Sequence, residues 1–367
     1  MFMKSEQIAK LAGVSRSTVS KVLHNYPEIP EVTRQKVLKI VQEQGYRPNV
    51  MSQALKGFSP KVIGVYFFAR VNEDHYYEVI NTHYDGSLLR SITMEAKKRD
   101  YSIMYDVILS SEPVDKVVAN INNAFASHSI SLAVFIGLDN GCDFIDDIAY
   151  PGRHVIVIDK ECDTSKGIRT LFCNNFNAAI TACNHLKDNG FAKIMHVAGD
   201  LGKHSGRMRR DGYLSFIANH KDQPGFDYEP LVMPGTFSME HGYRIGIRFL
   251  EEKLYERYNG IMCGCDMIAV GFLKCIRESK PELVDQLGII GFDNEVIDRY
   301  VSPAISTLTV DYRNFARFIF DLEQNYDNFE GGLSVQIEQE LIVRDSSRPA
   351  AKRNYDNIPI AELIKVN

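Results

Sequence analysis

The stretch from Ser5 to Leu23 constrains this chain more than any other. Ile8, Leu11 and Ala12 recur at helical spacing, and Ser5 can cap the helix they define. Gly13 supplies the positive φ that ends a helix and turns the chain sharply. Ser15 is then a second N-cap, opening a second short helix. At about 100° per residue, Arg16, Ser17, Ser20, Lys21 and His24 fall on one side of it. Val19, Val22 and Leu23 fall on the other, with Thr18 at the border. The apolar side can pack on the first helix. The other side carries Arg, Ser, His and Lys, a set able to enter a DNA major groove. A solvated face on an ordinary helical hairpin is the competing reading. Small Ala9, turning Gly13 and apolar Val19 sit where two helices can cross closely, which favours DNA.

Charge is placed to match. The net charge is −5, yet the residues through Pro60 are basic on balance and the remainder is acidic. A basic head on an acidic body suits a head that meets phosphate. At 367 residues the chain is long enough for two or three domains. Its seven cysteines are an odd number without framework spacing, pointing to reduced thiols, a cytoplasmic location and no secreted binding protein. No apolar run is long enough to span a bilayer, and the N-terminus lacks a signal-peptide pattern.

A third helix is expected over 30–44, with Val37, Leu38, Ile40 and Val41 covering the first two; Gly45 ends it and Tyr46 packs back. Asn49 can cap a short helix over 49–56 that orders on DNA, or the segment is a plain linker. From Lys61 the pattern becomes alternating strands and helices. Strands are expected at 62–68, 101–108, 132–137 and 154–159, with helices at 84–100, 114–127 and 144–149. A second unit has helices at 176–189, 205–219, 239–252 and 267–279, and strands at 193–198, 229–233, 260–263 and 287–291. A strand at 305–309, a helix at 312–325 and a strand at 334–344 complete it. The fold class is therefore an all-α helix-turn-helix headpiece plus an α/β body of two doubly wound parallel-sheet lobes, like a periplasmic binding protein. The expected domains are 1–47, a hinge or linker 48–60, a body 61–345 and a tail 346–367. Within the body, lobe one takes about 61–160 and 294–325, and lobe two 161–293 and 326–345. A ligand cleft is expected between the lobes at the carboxyl ends of the strands, with 72–82 a loop on that end.

The residues Ile8 to Ser15, Ser17 to Leu23, Gly45 to Asn49, Leu55-Lys56, Val62 to Val65, Arg207 to Tyr213, Gly235 to Ser238, Asp266 to Gly271 and Gly288 to Asp293 together identify a resemblance. Along nearly its whole length the chain resembles the lactose-repressor family of bacterial transcriptional regulators. The resemblance implies a homodimer on a pseudo-palindromic operator. Arg16 and Ser17 match positions that read base edges, with Lys21 as a further reader or phosphate contact. Ser5, Thr18, Ser20 and Asn25 match phosphate contacts. Asn49, Ser52, Leu55 and Lys56 fall in the hinge segment on DNA, Leu55 as a minor-groove wedge.

For the cleft the same resemblance offers Arg209 and Asp293, with Asp159, Phe237, Phe68 and Cys265 around them, as the site of a sugar-like effector. An ion pair with Asp211 competes as a role for Arg209, and a helix cap as a role for Asp293; Asp266 reads as a structural cap. The chain departs from the family pattern at Cys265, where an Asn is usual, at Val310, at bulky Phe68 with added length in 72–82, and at His24. These departures leave the effector's identity open. Cys263 and Cys265 lack a second pair for a metal site, and no catalytic triad order or phosphate-cradling loop stands out, so no cofactor, metal or enzymatic activity is expected. Two rivals remain. One is a small-molecule binding protein or enzyme whose N-terminal helices only dimerise. The other is a regulator controlled by a protein co-regulator.

Overall fold

The computed structural model describes residues 5–23, 26–44, 61–70, 83–139, 142–150, 152–223, 228–326 and 332–353. His24, Asn25, Tyr46, the 49–56 segment with Asn49, Ser52, Leu55 and Lys56, and the 72–82 loop lie outside them. The chain divides into two compact units, one of residues 1–60 with 124–129 and the other of residues 61–123 with 130–367.

The first unit is built from α1 (Ser5–Ala12), α2 (Arg16–Leu23) and α3 (Glu31–Glu43). Gly13 has φ of 65°, the left-handed conformation that the turn requires. Ser15 caps α2, its hydroxyl accepting from the Thr18 amide at 3.0 Å. Ile8, Ala9, Ala12, Val19, Val22 and Val37 form the core, with Leu23, Ile40 and Val41 partly buried around it. Two expected core residues face water instead: Leu11 is 53% exposed and Leu38 is 38% exposed. A bundle this small has room for one apolar stripe per helix, and these two side chains sit beside it.

The second unit holds two six-stranded sheets. Its elements in chain order begin with β1 (Val62–Ala69), α4 (His83–Lys98), β2 (Ser102–Leu109), α5 (Val114–Ala126), β3 (Leu132–Ile136), β4 (His154–Ile158) and β5 (Arg169–Cys173). They continue with α6 (Asn175–Asp188), β6 (Ile194–Val197), α7 (His204–His220), β7 (Val232–Met233), α8 (Met239–Glu251), β8 (Gly260–Cys263), α9 (Asp266–Ser279) and β9 (Gly288–Phe292). The last are β10 (Ser306–Thr309), α10 (Tyr312–Gln324), β11 (Leu333–Ile337) and β12 (Glu340–Ile342). Sheet one runs β11-β5-β4-β3-β1-β2 and sheet two β12-β10-β9-β8-β6-β7. Among the described residues every strand pairing is parallel except β10 with β12. Ile63, Val65, Leu132, Val134 and Ile156 face α4 and α10 in one core; Met195, Ile261 and Ile289 face α8 and α9 in another. These strands read as near-continuous apolar runs because helices cover both faces of a parallel sheet.

Strand pairing corrects the expected lobe boundaries. Residues 169–173 form β5 in sheet one, not part of lobe two, and 306–309 form β10 in sheet two, not part of lobe one. The expected single strand 334–344 is two strands, β11 in sheet one and β12 in sheet two. The chain thus crosses between lobes at 173–175, 309–312 and 337–340. β5 was hidden by its polar start. Arg169 is 1% exposed because its guanidinium lies 4.4 Å from the Tyr326 ring centroid and donates to the Tyr326 carbonyl at 2.8 Å. The expected helix at 144–149 is a short 3₁₀ segment at Asp143–Asp147.

Lobe two is tied internally by a buried pair of acids. Asp266 opens α9 and Asp298 lies on the 3₁₀ segment Val296–Arg299; both are fully buried. Asp266 Oδ2 accepts from the Thr307 hydroxyl at 2.9 Å and the Glu295 amide at 3.0 Å. Arg344 Nη1 lies 3.5 Å from Asp298 Oδ2. Burial, and each acid's nearness to the other, push the Asp266 carboxyl well above the usual range; burial raises Asp298 to about 6. The folded pair therefore holds a proton that the unfolded carboxylates release near pH 4. The stability this contributes is complete below that pH and is lost as pH rises through the folded values. Asp266→Asn keeps the shape and replaces the held proton with an amide donor. We expect its melting temperature to be flatter than that of the wild type between about pH 5 and 8. Parallel curves for the two proteins in a pH series of thermal melts would remove the pair as the cause.

Candidate DNA interface and candidate ligand cleft

On the first unit, the face of α2 opposite its buried valines is exposed as the sequence requires. Arg16 has 65% of its side chain exposed and makes one loose ion pair, 3.7 Å to Glu6. Lys21 pairs with Glu28 at 3.1 Å, 47% exposed. Ser17 and Thr18 both gather at Ser15, whose hydroxyl lies 2.7 Å and 2.8 Å from theirs. Exposed pairs of this kind are weak because water and salt screen them, so exchanging Glu6 and Glu28 for phosphate or a base edge costs little. Ser5 is the first residue of α1 and Ser20 is half-buried on α2. A polar, cationic ridge eight residues long is what the chain offers to a groove.

In the second unit, the ends of four parallel strands converge. Asp159 follows β4, Cys173 ends β5, Gly264 and Cys265 follow β8, and Asp293 follows β9. Asp159 and Asp293 have φ of 53° and 105°, conformations that non-glycine residues rarely adopt and that the surrounding structure must hold. The Tyr84 hydroxyl donates to Asp159 Oδ2 at 2.8 Å, and the Cys173 amide to Oδ1 at 2.9 Å. Burial nevertheless leaves the Asp159 carboxyl above its ordinary range. Arg209 is 6% exposed. Its Nε donates to Asn175 Oδ1 at 2.8 Å, its Nη1 to the Gly264 carbonyl, and its plane lies over Phe292 at 4.1 Å. Nη2 stands 3.8 Å from Asp293 Oδ1. Arg209 therefore faces the strand ends, and the alternative of a surface pair belongs to its neighbour, Arg210 with Asp211 at 2.7 Å.

The structure brings Asp159, Arg209, Cys265 and Asp293 to these strand ends. Cys265 is buried as the N-cap residue of α9, and burial followed by the Asp293 charge pushes its thiol up. Phe237 is positioned by Gly199, at which a Cβ would lie 2.1 Å from its ring. Val310 is a core residue of lobe one beside the crossover. Tyr84, Asn175 and Tyr312 belong to the same group and were missed. Tyr312 donates to the Asp293 carbonyl at 3.4 Å and its ring meets Tyr84 edge-on at 5.9 Å. Asn175 was legible only once β5 was recognised as a strand whose end faces the cleft.

Phe68 takes part in a different contact, a lobe-to-lobe ionic latch. Arg70 follows β1, Asp139 follows β3, and Asp200 and Lys203 precede α7. Arg70 reaches Asp139 at 2.5 Å and Asp200 at 2.7 Å; Lys203 reaches Asp139 at 2.7 Å and donates to the Gly137 carbonyl. The Lys203 ammonium lies 5.3 Å from the Phe68 ring centroid. Gly202 makes room: a Cβ there would come within 2.4 Å of the Arg70 guanidinium. Arg70 is 44% exposed, so salt weakens the network. Arg70→Gln should cost about 1 kcal/mol of lobe closure. Hydrogen exchange at the amides of 137–139 and 200–203 should speed up in this variant, and in the wild type at high salt. Unchanged exchange at both segments would mean that the latch holds nothing.

Comparisons with known proteins fit both regions. The profile of the bacterial regulatory proteins of the lacI family matches residues 6–49, and that of the periplasmic binding protein-like domain matches 183–347, together more than half the chain. The probable HTH-type transcriptional repressor ExuR of Bacillus subtilis is 26% identical over 303 residues, covering 83% of this chain and 85% of that protein. The HTH-type transcriptional repressor PurR of Mannheimia succiniciproducens is 23% identical over 352 residues, covering 94% and 99%. Among solved structures, the lac repressor dimer bound to operator and the anti-inducer ONPF superposes with a TM-score of 0.78 at 19% identity, covering 95% of this chain and 100% of that one. The transcriptional regulator CelR in complex with cellobiose does so at 0.63 and 17%, covering 94% and 99%. No helix among the described residues is long and apolar enough to cross a membrane.

Proposed function

From the premise that this chain belongs to the lacI family of bacterial regulatory proteins, we propose that it is a sequence-specific transcriptional repressor controlled by a small molecule bound between its lobes. The observation that carries the reading is α2: an eight-residue helix with buried valines on one side and Arg16, Ser17 and Lys21 on the other. Arg16 can bond guanine N7 and O6 with both arms of its fork, while Lys21 and the hydroxyls of Thr18 and Ser20 suit phosphate. One such helix reads only a few base pairs, so we infer a two-fold dimer on a palindromic site, with the segment around Leu55 joining the heads. The relatives are repressors rather than enzymes, which favours a regulator over a catalyst.

The effector we propose is a sugar or sugar derivative in contact with Asp159, Arg209 and Asp293. Their chemistry supports it. Two carboxylates and a guanidinium are groups that orient hydroxyls, and Phe237 offers a ring to a C–H face. CelR was solved with cellobiose, and lac repressor bound to ONPG. Cys265 gives no amide to such a ligand, so the hydroxyl bonded there in an Asn-bearing site goes unmatched, and the effector differs accordingly. Ligand contacts from Asp159 in lobe one and Asp293 in lobe two bias the lobe angle, and through it the spacing of the paired heads.

The test is selection of an operator from random duplexes, then fluorescence anisotropy with the full-length chain. Arg16→Ala should lower affinity for the selected site about tenfold or more while leaving non-specific binding nearly unchanged. Specific affinity should also fall steeply between low and physiological salt, because several phosphates are neutralised per head. Equal losses on specific and random DNA would remove Arg16 as a base reader. An absence of any selected site would sink the regulator itself.

A further inference from the structure

Both cations of α2 face an acid, and each acid comes from a different neighbouring segment. Arg16 Nη1 lies 3.7 Å from Oε1 of Glu6, in the first turn of α1. Lys21 Nζ lies 3.1 Å from Oε1 of Glu28, in the connection from α2 to α3. The residues through Pro60 include four acids in all: Glu6, Glu28, Glu31 and Glu43. Glu31 and Glu43 pair within α3, with Arg34 at 3.4 Å and Lys39 at 3.9 Å. Glu6 and Glu28 break that local habit. Lys10 stands one helical turn after Glu6, the spacing that favours a pair along a helix, yet Glu6 turns to Arg16. Among the described residues Lys10 makes no ion pair, and neither does Lys36 on α3.

The two contacts leave the cations with different means. At 3.7 Å, Glu6 is too far from Arg16 for a hydrogen bond, so it offsets the guanidinium's charge without occupying a donor. Glu28 is closer and accepts a hydrogen bond from the Lys21 ammonium, which has three donors. A phosphate attracts through charge, so toward it both cations are diminished, and the carboxylates repel it as well. A base edge is recognised by the direction of its donors and acceptors, so toward it Arg16 keeps its fork. A screened ion pair is small beside two bonds to guanine, but comparable with one loose phosphate contact. The acids therefore cost little at an operator and cancel much of what α2 gains on random DNA.

We propose that Glu6 and Glu28 are specificity-determining residues, which hold α2 off the phosphates of random DNA while leaving Arg16 its hydrogen bonds to a base. The inference rests on α2 being the base-reading helix. It adds that discrimination comes from two anions as well as from the cation that reads.

The experiment uses Glu6→Gln, Glu28→Gln and the double variant in the full chain. Glu43→Gln is the control, because it removes the same charge from a pair within α3. The three side chains are 68%, 51% and 55% exposed, so none of these changes endangers the fold. Anisotropy titrations over a salt series compare the selected operator with a pool of random duplexes. Glu6→Gln and Glu28→Gln should each tighten binding to the random pool about threefold at physiological salt. Each should also steepen the slope of log affinity against log salt on that pool by about one per head, since one more phosphate is neutralised. Operator affinity should gain less, so the preference for the operator falls, by about tenfold in the double variant. Glu43→Gln should move both DNAs alike. Equal gains on operator and random DNA from Glu6→Gln and Glu28→Gln would reduce the acids to a net-charge effect and overturn the proposal. So would unchanged binding to the random pool. If no operator is selected, α2 is not a base reader and the proposal falls with that reading; a selected operator with equal gains overturns the proposal alone.

Discussion

The body is arranged around one nearly dry guanidinium. Arg209 lies on the Phe292 ring, bonds Asn175 and the Gly264 carbonyl, and faces Asp293. These contacts fix the ends of three elements. Phe292 ends β9 with Asp293 directly after it, Gly264 follows β8, and Asn175 opens α6 at the first crossover. Asn175 Oδ1 also accepts from Gln339 Nε2 at 3.1 Å, which brings in the β11–β12 crossover. A buried cation without such partners would be untenable, so strand ends and crossovers must hold these positions together. Arg suits the task where Lys would not, because its planar fork serves a stack and several acceptors at once. The same demand accounts for the backbone of Asp159 and Asp293. Their unfavourable φ values place carboxylates at the strand ends and persist because the surrounding bonds over-determine them.

Much of this was legible in the sequence, for reasons that differ by region. The head was readable because Gly13, Ser15 and the period of Ile8, Ala12, Val19 and Val22 all act locally. Most body strands were readable because a parallel sheet buried on both faces leaves an uninterrupted apolar run. What failed was non-local. β5 begins with Arg169 and Thr170, and Arg169 is tolerated inside only because Tyr326, far along the chain, supplies a ring and a carbonyl. With β5 unseen, the lobe boundaries moved, and Cys173 and Asn175 lost their place at the cleft. The residues 334–344 look like one strand because periodicity cannot say which sheet a strand joins. Arg209 and Asp293 came from resemblance, whereas Tyr84 and Tyr312 had no signal beyond being aromatic residues in the first turn of a helix.

The two lobes meet through interactions of opposite character, and that difference has a consequence. At the outer edge, Arg70, Asp139, Asp200 and Lys203 are partly exposed, so their attraction is screened and exchangeable with water. At the strand ends, the groups around Arg209 are buried and pay heavily for any partner lost. A change in lobe angle therefore breaks the outer latch at small cost while the inner group keeps its bonds, provided motion centres on the crossovers. The inner group is then the axis and the latch is the moving rim. A ligand of the kind proposed above, among Asp159, Arg209 and Asp293, would add its bonds at that axis. Anything between Arg70 and Asp200 changes only how far the rim opens.

This division bears on how weak signals can control DNA. Among the described residues the core of the head holds six buried apolar side chains, so its own stability is small and its geometry is readily biased. The body, with two extensive cores, is not. A lobe rotation that costs about 1 kcal/mol at the latch shifts the balance between two body states several-fold. In the two-fold dimer proposed above both chains would contribute that bias to one DNA complex, so the factor would be squared. Control then needs no large rearrangement of the cores, only an axis held firmly enough that a small energy at the rim is not dissipated in loosening the strand ends. The bonds of Arg209 provide that firmness.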